Sequence, residues 1–365
     1  MPAETDIPAA GTPGVHAGAA DDTATQGHGE PALLETRGLE VHFPVRRRGL
    51  RRTAQMVRAV DGVDLRLDHG ETLGLVGESG CGKTTLGSAV LGLRSGVRGA
   101  VYYRSGQGRL LDATRLGSAD LAEYRQEVRM IFQDPHASLN PRLTLLDLVG
   151  EPLRVLQGVG GAELEERVAG ILERVGLRRD HLRRYPHAFS GGERQRVSIA
   201  RALVPGPRLV VADEAVSALD VSVRSQILNL LQDLQDEMGL TYLFVSHDLS
   251  VVEHVCTRVA VMYLGRVVEQ ADTSELYGHP RHPYTEALIS AVPVPDPRLR
   301  GRRERIRLTG ELPDPASPPS GCPFHTRCGY ATERCAIDRP PLREITPGHR
   351  VACHHAEELS LAGLP

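Results

Sequence analysis

The stretch Gly77-Glu78-Ser79-Gly80-Cys81-Gly82-Lys83-Thr84 reads G-x-x-x-x-G-K-T and constrains this chain more than any other segment. Thr72-Leu73-Gly74-Leu75-Val76 before it is short, apolar and strand-like, and Thr85 to Leu91 after it can run as a helix. Strand, Gly-rich turn and helix are the context of a phosphate-binding loop. Its glycines let backbone N–H groups curl around phosphate oxygens, and the following helix N-terminus adds positive potential. Lys83 would reach the β- and γ-phosphates, and the Thr84 hydroxyl would hold Mg²⁺. A chance Gly-rich turn would not be expected to carry both flanks.

The chain has 365 residues, enough for one large domain with an appendage or for two domains. Its net charge is -3 with acids and bases interspersed, so no nucleic-acid footprint stands out. Arg46-Arg47-Arg48 and Arg51-Arg52 read as a solvated basic loop. No apolar run reaches the roughly 18 residues of a membrane span, and the N-terminus has neither a basic start nor an apolar core for secretion. The expected location is the cytosol, with membrane association through partners. Residues 1–30 are Ala, Gly, Thr, Asp and Pro with few large apolar side chains, and are expected to be disordered.

From Leu33 on, strand and helix signals alternate. Leu39–Phe43, the region of Val60, Val63 and Leu65, Val128–Phe132 and Thr241–Ser246 read as strands. Leu164, Val168, Ile171, Leu172 and Val175 make one helical face, and Val223, Ile227, Leu230, Leu231, Leu234 and Met238 another. Ser190 is a good N-cap for a helix through Ile199 and Leu203, closed by Pro205 and Pro207. Leu209–Asp213 is a continuous apolar run, the pattern of a parallel strand buried on both faces. Arg258–Leu264 and Arg266–Glu269 flank Gly265 as a hairpin. The pattern predicts an α/β core with a largely parallel sheet. From His279 on, Pro, Arg and Cys rise and periodicity fades, which marks an appended segment.

Two further elements turn a phosphate loop into a candidate hydrolase. Asp213 closes the buried run, where a carboxylate can hold Mg²⁺ through water, and Glu214 beside it could polarise an attacking water. Phe189-Ser190-Gly191-Gly192-Glu193 opens a helix with small residues that suit an anion. Taken alone, each is also compatible with an ordinary turn or cap; their order along the chain is what makes them informative.

These residues together resemble the ATP-binding subunit of an ABC transporter. The resemblance covers about residues 33–275: Walker A at 77–84, Gln133 as the Q-loop, the signature at 189–193, Walker B at 209–213 followed by Glu214, Ser217-Ala218-Leu219-Asp220 as the D-loop, and Ser246-His247-Asp248 as the switch. It implies a mostly parallel sheet core with an antiparallel β subdomain and an α-helical signature subdomain over residues 31–278, and a small Cys-containing C-terminal domain over 279–365. It further implies that Gln133 contacts Mg²⁺ or the lytic water, and that His247 contacts the γ-phosphate. Phe43 would stack on adenine, with His42 the weaker candidate, and Ser190, Gly191, Gly192 and Glu193 would close over a partner's ATP. One departure stands out: the last signature position is commonly Gln and is Glu193 here. A carboxylate there has to point away from the partner's triphosphate or pair, with Arg194 and Arg196 as candidates.

Tyr185-Pro186-His187-Ala188, His282-Pro283-Tyr284-Thr285-Glu286-Ala287-Leu288, Leu308-Thr309-Gly310-Glu311-Leu312-Pro313 and Ser320 to Cys328 are similar to oligopeptide/dipeptide importer ATPases. The His42-Phe43-Pro44 stretch and the L-T-G-E-L-P segment resemble the F-type of the two ATPase subunits. The resemblance implies a D-type ATPase partner, two permease subunits, an extracytoplasmic binding protein and a peripheral place on the cytoplasmic membrane face. Nickel importers share much of the pattern and stay open as an alternative. A nucleic-acid or ribosome ATPase is the more distant one, because no coiled-coil insertion or second cassette is present. Cys322, Cys328, Cys335 and Cys353 sit as C-x₅-C-x₆-C-x₁₇-C. Four thiolates can hold a [4Fe–4S] cluster, which some family members of similar pattern carry, or a structural zinc; cysteines that bind no metal, or that form disulfides, are the other readings. Cys81 reads as a small filler.

Overall fold

A computed structural model describes residues 31–45, 55–134, 138–293, 305–308 and 310–364. The N-terminal tail and the basic cluster at 46–52 therefore lie outside the described residues. Residues Ala32–Pro365 make one compact unit. The strands in chain order are β1 Leu34–Val45, β2 Gln55–Leu67, β3 Thr72–Val76, β4 Arg98–Arg104, β5 Leu110–Asp112, β6 Val128–Ile131, β7 Leu209–Asp213, β8 Thr241–Val245, β9 Arg258–Tyr263, β10 Arg266–Asp272, β11 Arg343–Thr346 and β12 His349–Val351.

The two sheets follow from two kinds of sequence. β3, β7 and β8 are buried at every position, as parallel strands covered on both faces must be. Alternate side chains enter opposite cores: Val210 and Ala212 of β7 and Tyr242 and Phe244 of β8 pack with the helices on one face. Leu209 and Val211, with Leu243 and Val245, pack on the other face against the antiparallel sheet. The main sheet runs β11-β12-β10-β9-β3-β8-β7-β6, and β6, β7, β8, β3 and β9 are parallel. The smaller sheet, β2-β1-β4-β5, is antiparallel. Its β1 is longer than the five-residue strand read from the sequence, because register shifts near Leu39 and His42 break the clean alternation.

Helices Leu145–Gln157, Gly161–Arg174 and Gly191–Leu203 share the larger core through Leu148, Leu153, Leu164, Val168, Leu172, Val197 and Ile199. Past His279 the chain stays attached to this frame. β12 pairs with β10 at Glu269↔Val351 and Gln270↔Arg350, and Tyr284 and Phe324 lie in the larger core. Among the described residues no helix is long and apolar enough to cross a membrane.

Candidate functional site: a phosphate loop and a carboxylate edge

The loop Gly77–Gly82 joins β3 to the helix Lys83–Val90. Two of its glycines are there because nothing larger fits. A Cβ on Gly77, at φ +150°, would stand 2.2 Å from the Met262 carbonyl oxygen, and one on Gly82, at φ +109°, would stand 1.9 Å from that of Ala59. Gly80 is left-handed too, with open space beside it, and Ser79 is exposed. Lys83 is buried, and its Nζ donates to the carbonyls of Gly77 at 2.7 Å and Glu78 at 3.0 Å. Cys81 is buried and its Sγ is 3.8 Å from the same ammonium, in keeping with a filler. Burial pushes its thiol pKa up.

Thr84 and Asp213 meet at the C-terminal ends of β3 and β7, where open α/β sheets bind ligands. The Thr84 hydroxyl donates to Asp213 Oδ1 at 3.1 Å. Burial raises the Asp213 pKa, the Thr84 hydrogen bond opposes this, and the Glu214 charge adds to the rise. A buried carboxylate beside a hydroxyl and a second carboxylate is a hard-oxygen site whose charge a divalent cation relieves, so the donor set fits Mg²⁺. Thr85 continues the same helix, half-buried.

Glu214 has φ +47°, a left-handed conformation that non-glycine residues seldom adopt. Its N–H donates to the Val245 carbonyl at 2.9 Å, which ties the strained residue to the end of β8. The strain aims the carboxylate at two residues the sequence places far away. Gln133 Nε2 donates to Glu214 Oε2 at 2.6 Å, and His247 Nδ1 stands 3.1 Å from Glu214 Oε1. The expected Q-loop, base and switch residues thus converge at the ends of β6, β7 and β8. The Asp220 side chain makes no cap although it precedes the helix Val221–Met238.

Ser190 caps the helix Gly191–Leu203, as expected from the sequence. The expectation that Glu193 pairs with Arg194 or Arg196 is not met. Glu193 Oε2 accepts from the Ser190 N–H and hydroxyl, each at 2.8 Å, which completes a reciprocal capping box. The Ser190 backbone and side-chain hydrogen bonds hold the Glu193 pKa below the usual value. Arg194 is used on the Phe189 carbonyl and Arg196 on that of Val175.

Residues 60–217 match the family described as ABC transporter, and residues 268–335 that described as Oligopeptide/dipeptide transporter, C-terminal region. The dipeptide transport ATP-binding protein DppF of Haemophilus influenzae is 49% identical over 325 residues, 89% of this chain and 97% of that protein. The oligopeptide transport ATP-binding protein AppF of Bacillus subtilis is 49% identical over 326 residues, 89% of this chain and 98% of that protein. The chain belongs to the ABC transporter ATP-binding proteins of the oligopeptide/dipeptide type. Among solved structures, cbiO1 from Clostridium perfringens, part of the ABC transporter complex cbiONQ, is similar at a TM-score of 0.57 and 26% identity, covering 68% of this chain and 91% of its own. The ATP-binding cassette MJ0796, in a dimeric post-hydrolysis state bound to ADP and Pi, is similar at a TM-score of 0.56 and 27% identity, over 66% of this chain and 98% of its own. The protein is therefore an ABC ATPase: it binds and hydrolyses ATP.

Of the two adenine-stacking candidates in this cassette, His42 is engaged, with Nε2 3.3 Å from Asp61 Oδ1. Phe43 is half-buried, with the Arg94 guanidinium 5.7 Å from its ring centroid. The four clustered cysteines are free thiols that line one small cavity with His282, His325, His354 and His355. Disulfides are therefore absent among them. No three His, Cys, Asp or Glu groups among the described residues are placed to hold a single metal ion. A tetrahedral zinc would draw its sulfurs to within about 3.8 Å of one another, so the structural-zinc reading fits this arrangement poorly. Burial pushes the Cys322 thiol up to about 11 and that of Cys353 up to about 12.

Two contacts of the ABC site escape sequence reasoning. Glu78 of the phosphate loop is ion-paired to Arg327, and its N–H donates to the Tyr284 hydroxyl at 2.8 Å. Their partners lie more than 200 positions along the chain, beyond any periodicity.

Proposed function

We propose that this ABC ATPase energises import of di- or oligopeptides, working with a D-type cassette, two permease subunits and an extracytoplasmic binding protein at the cytoplasmic face of the membrane. Residues 31–278 serve as the cassette and 279–365 as the importer-type C-terminal region. The observation that carries the hydrolytic part is the convergence of Gln133, Glu214 and His247 beside the phosphate loop. The peptide part is supported by the match of residues 268–335 and by the names its relatives carry.

In this reading the phosphates enter the loop Gly77–Thr85, and Lys83 exchanges the carbonyls of Gly77 and Glu78 for phosphate oxygens. Thr84 and Asp213 would hold Mg²⁺, with Gln133 turning from Glu214 toward it. When bound, the ion neutralises charge on the transferring phosphoryl group. Glu214 takes a proton from the attacking water; before ATP enters, Gln133 and His247 each hold one of its carboxylate oxygens. His247 then faces the γ-phosphate, and Phe43 packs on adenine. Ser190, Gly191, Gly192 and Glu193 serve the partner's ATP, and Asp220 sits at the same junction. Closure of the two cassettes switches the permeases, and hydrolysis resets them.

The test is purification from membranes with native partners, followed by ATPase assay with a peptide-loaded binding protein. Co-purifying permeases and peptide-stimulated turnover are expected. Stimulation by Ni²⁺ in place of peptide would overturn the substrate class, and release without permeases would overturn the importer role. For the cysteines we propose an iron–sulfur cluster, supported by the four thiols that line one cavity. Anaerobically purified protein should absorb broadly near ~400 nm; colourless, iron-free protein contradicts it.

A further inference from the structure

The segment between Cys322 and Cys328 reaches back to the ATP site. Arg327, next to Cys328, makes a two-pronged ion pair with Glu78, at 2.6 Å from Nη1 to Oε2 and 3.0 Å from Nη2 to Oε1. The arginine side chain is only 6% exposed and that of Glu78 30%, so the pair is largely shielded from solvent. The Tyr263 ring lies 6.0 Å from the guanidinium, and Phe324, three residues before Arg327, packs on both Tyr263 and Tyr284. Tyr284 supplies the hydroxyl that receives the Glu78 N–H. The Glu78 carbonyl in turn accepts from Lys83. Glu78 is therefore fastened by its side chain and N–H to the C-terminal segment, and by its carbonyl to the lysine that reads phosphate.

The pairing answers an electrostatic problem. A free carboxylate in a loop that wraps a triphosphate repels the ligand, and the repulsion is strong where water is scarce. A bidentate guanidinium cancels that charge and fixes the carboxylate's direction. We propose that Arg327 is a positioning residue for the ATP site: by neutralising and orienting Glu78 it sets the affinity of the phosphate loop for MgATP. The cysteine-bearing segment thereby reports its own integrity to nucleotide binding. The inference holds whatever solute is transported.

The experiment is calorimetric MgATP titration of the full-length chain carrying Arg327→Met, in wild-type and Glu78→Gln backgrounds, with thermal melting as a check on folding. In the wild-type background the replacement should weaken binding about tenfold. In the Glu78→Gln background the same replacement should change affinity by less than about twofold, because the charge it answered is gone. An arginine that only supports the fold would cost the same in both backgrounds, and that result overturns the proposal, as does wild-type affinity in the Arg327→Met variant. Should the methionine variant melt early, Arg327→Lys keeps the charge without the fork. It is expected to fall between wild type and the tenfold loss, again only with Glu78 present; an equal loss in both backgrounds refutes the proposal.

Discussion

Replacing Glu214 by Gln removes a charge and a basic oxygen while keeping the shape of the side chain and the φ +47° backbone that aims it. The 2.6 Å contact to Gln133 Nε2 and the 3.1 Å contact to His247 Nδ1 show what the carboxylate does at rest. It is held by two neighbours, leaving lone pairs for a water proton. A positioned general base contributes on the order of 10²–10⁴ in rate, so turnover by the two-cassette complex should fall by that factor, or about 3–5 kcal/mol of barrier. Nothing in the loop Gly77–Thr84 bonds to Glu214, so MgATP affinity should change less than about threefold, well under the roughly 1.4 kcal/mol of a tenfold effect. Single-turnover phosphate release measures the first quantity and nucleotide titration the second. Hydrolysis within threefold of wild type would refute Glu214 as the base; lost binding would show that it holds nucleotide instead.

Gly82→Ala should abolish MgATP binding by titration, because its Cβ would sit 1.9 Å from the Ala59 carbonyl oxygen, which is backbone and cannot yield. Glu193→Gln should lower the ATP concentration needed for half-maximal turnover, since it removes a negative charge from the signature. Its Oε1 can still cap Ser190, so the melting cost should stay within about 1 kcal/mol; a higher ATP requirement would contradict the reading. Asp61 is buried, which alone would raise its pKa, but the hydrogen bond and charge of Arg266, with Arg58 and His42, hold it below the usual 3.8. Its stabilisation is therefore present above pH 3.8 and lost as pH falls through the folded value. Asp61→Asn should cost about 2 kcal/mol at pH 7, with the gap to wild type closing below pH 3.8 in denaturant titrations.

The parts of this structure legible in sequence are those set by local rules. β3, β7 and β8 announce themselves as unbroken apolar runs because both of their faces are covered. The phosphate loop is legible because its glycines have no substitute. Glu193 obeys a local rule as well: Ser190-x-x-Glu193 spells a capping box, and that short-range pairing prevails over Arg194 and Arg196. Arg327 and Tyr284 were not legible, since nothing short-range relates them to Glu78. The C-terminal segment lost its periodicity because its strands are short, with half of β11 exposed, yet they extend the main sheet.

In the proposed function Gly77–Thr84 is half a site, closed by the signature of another chain. Gly191 offers a clean probe, because a Cβ there meets nothing within 4 Å and the helix N-terminus tolerates an acidic side chain. Gly191→Asp should leave MgATP affinity of the isolated chain unchanged in titration and abolish hydrolysis at the partner cassette's nucleotide in the assembled complex. Weakened ATP binding by the isolated chain would place the signature on its own nucleotide and contradict the account.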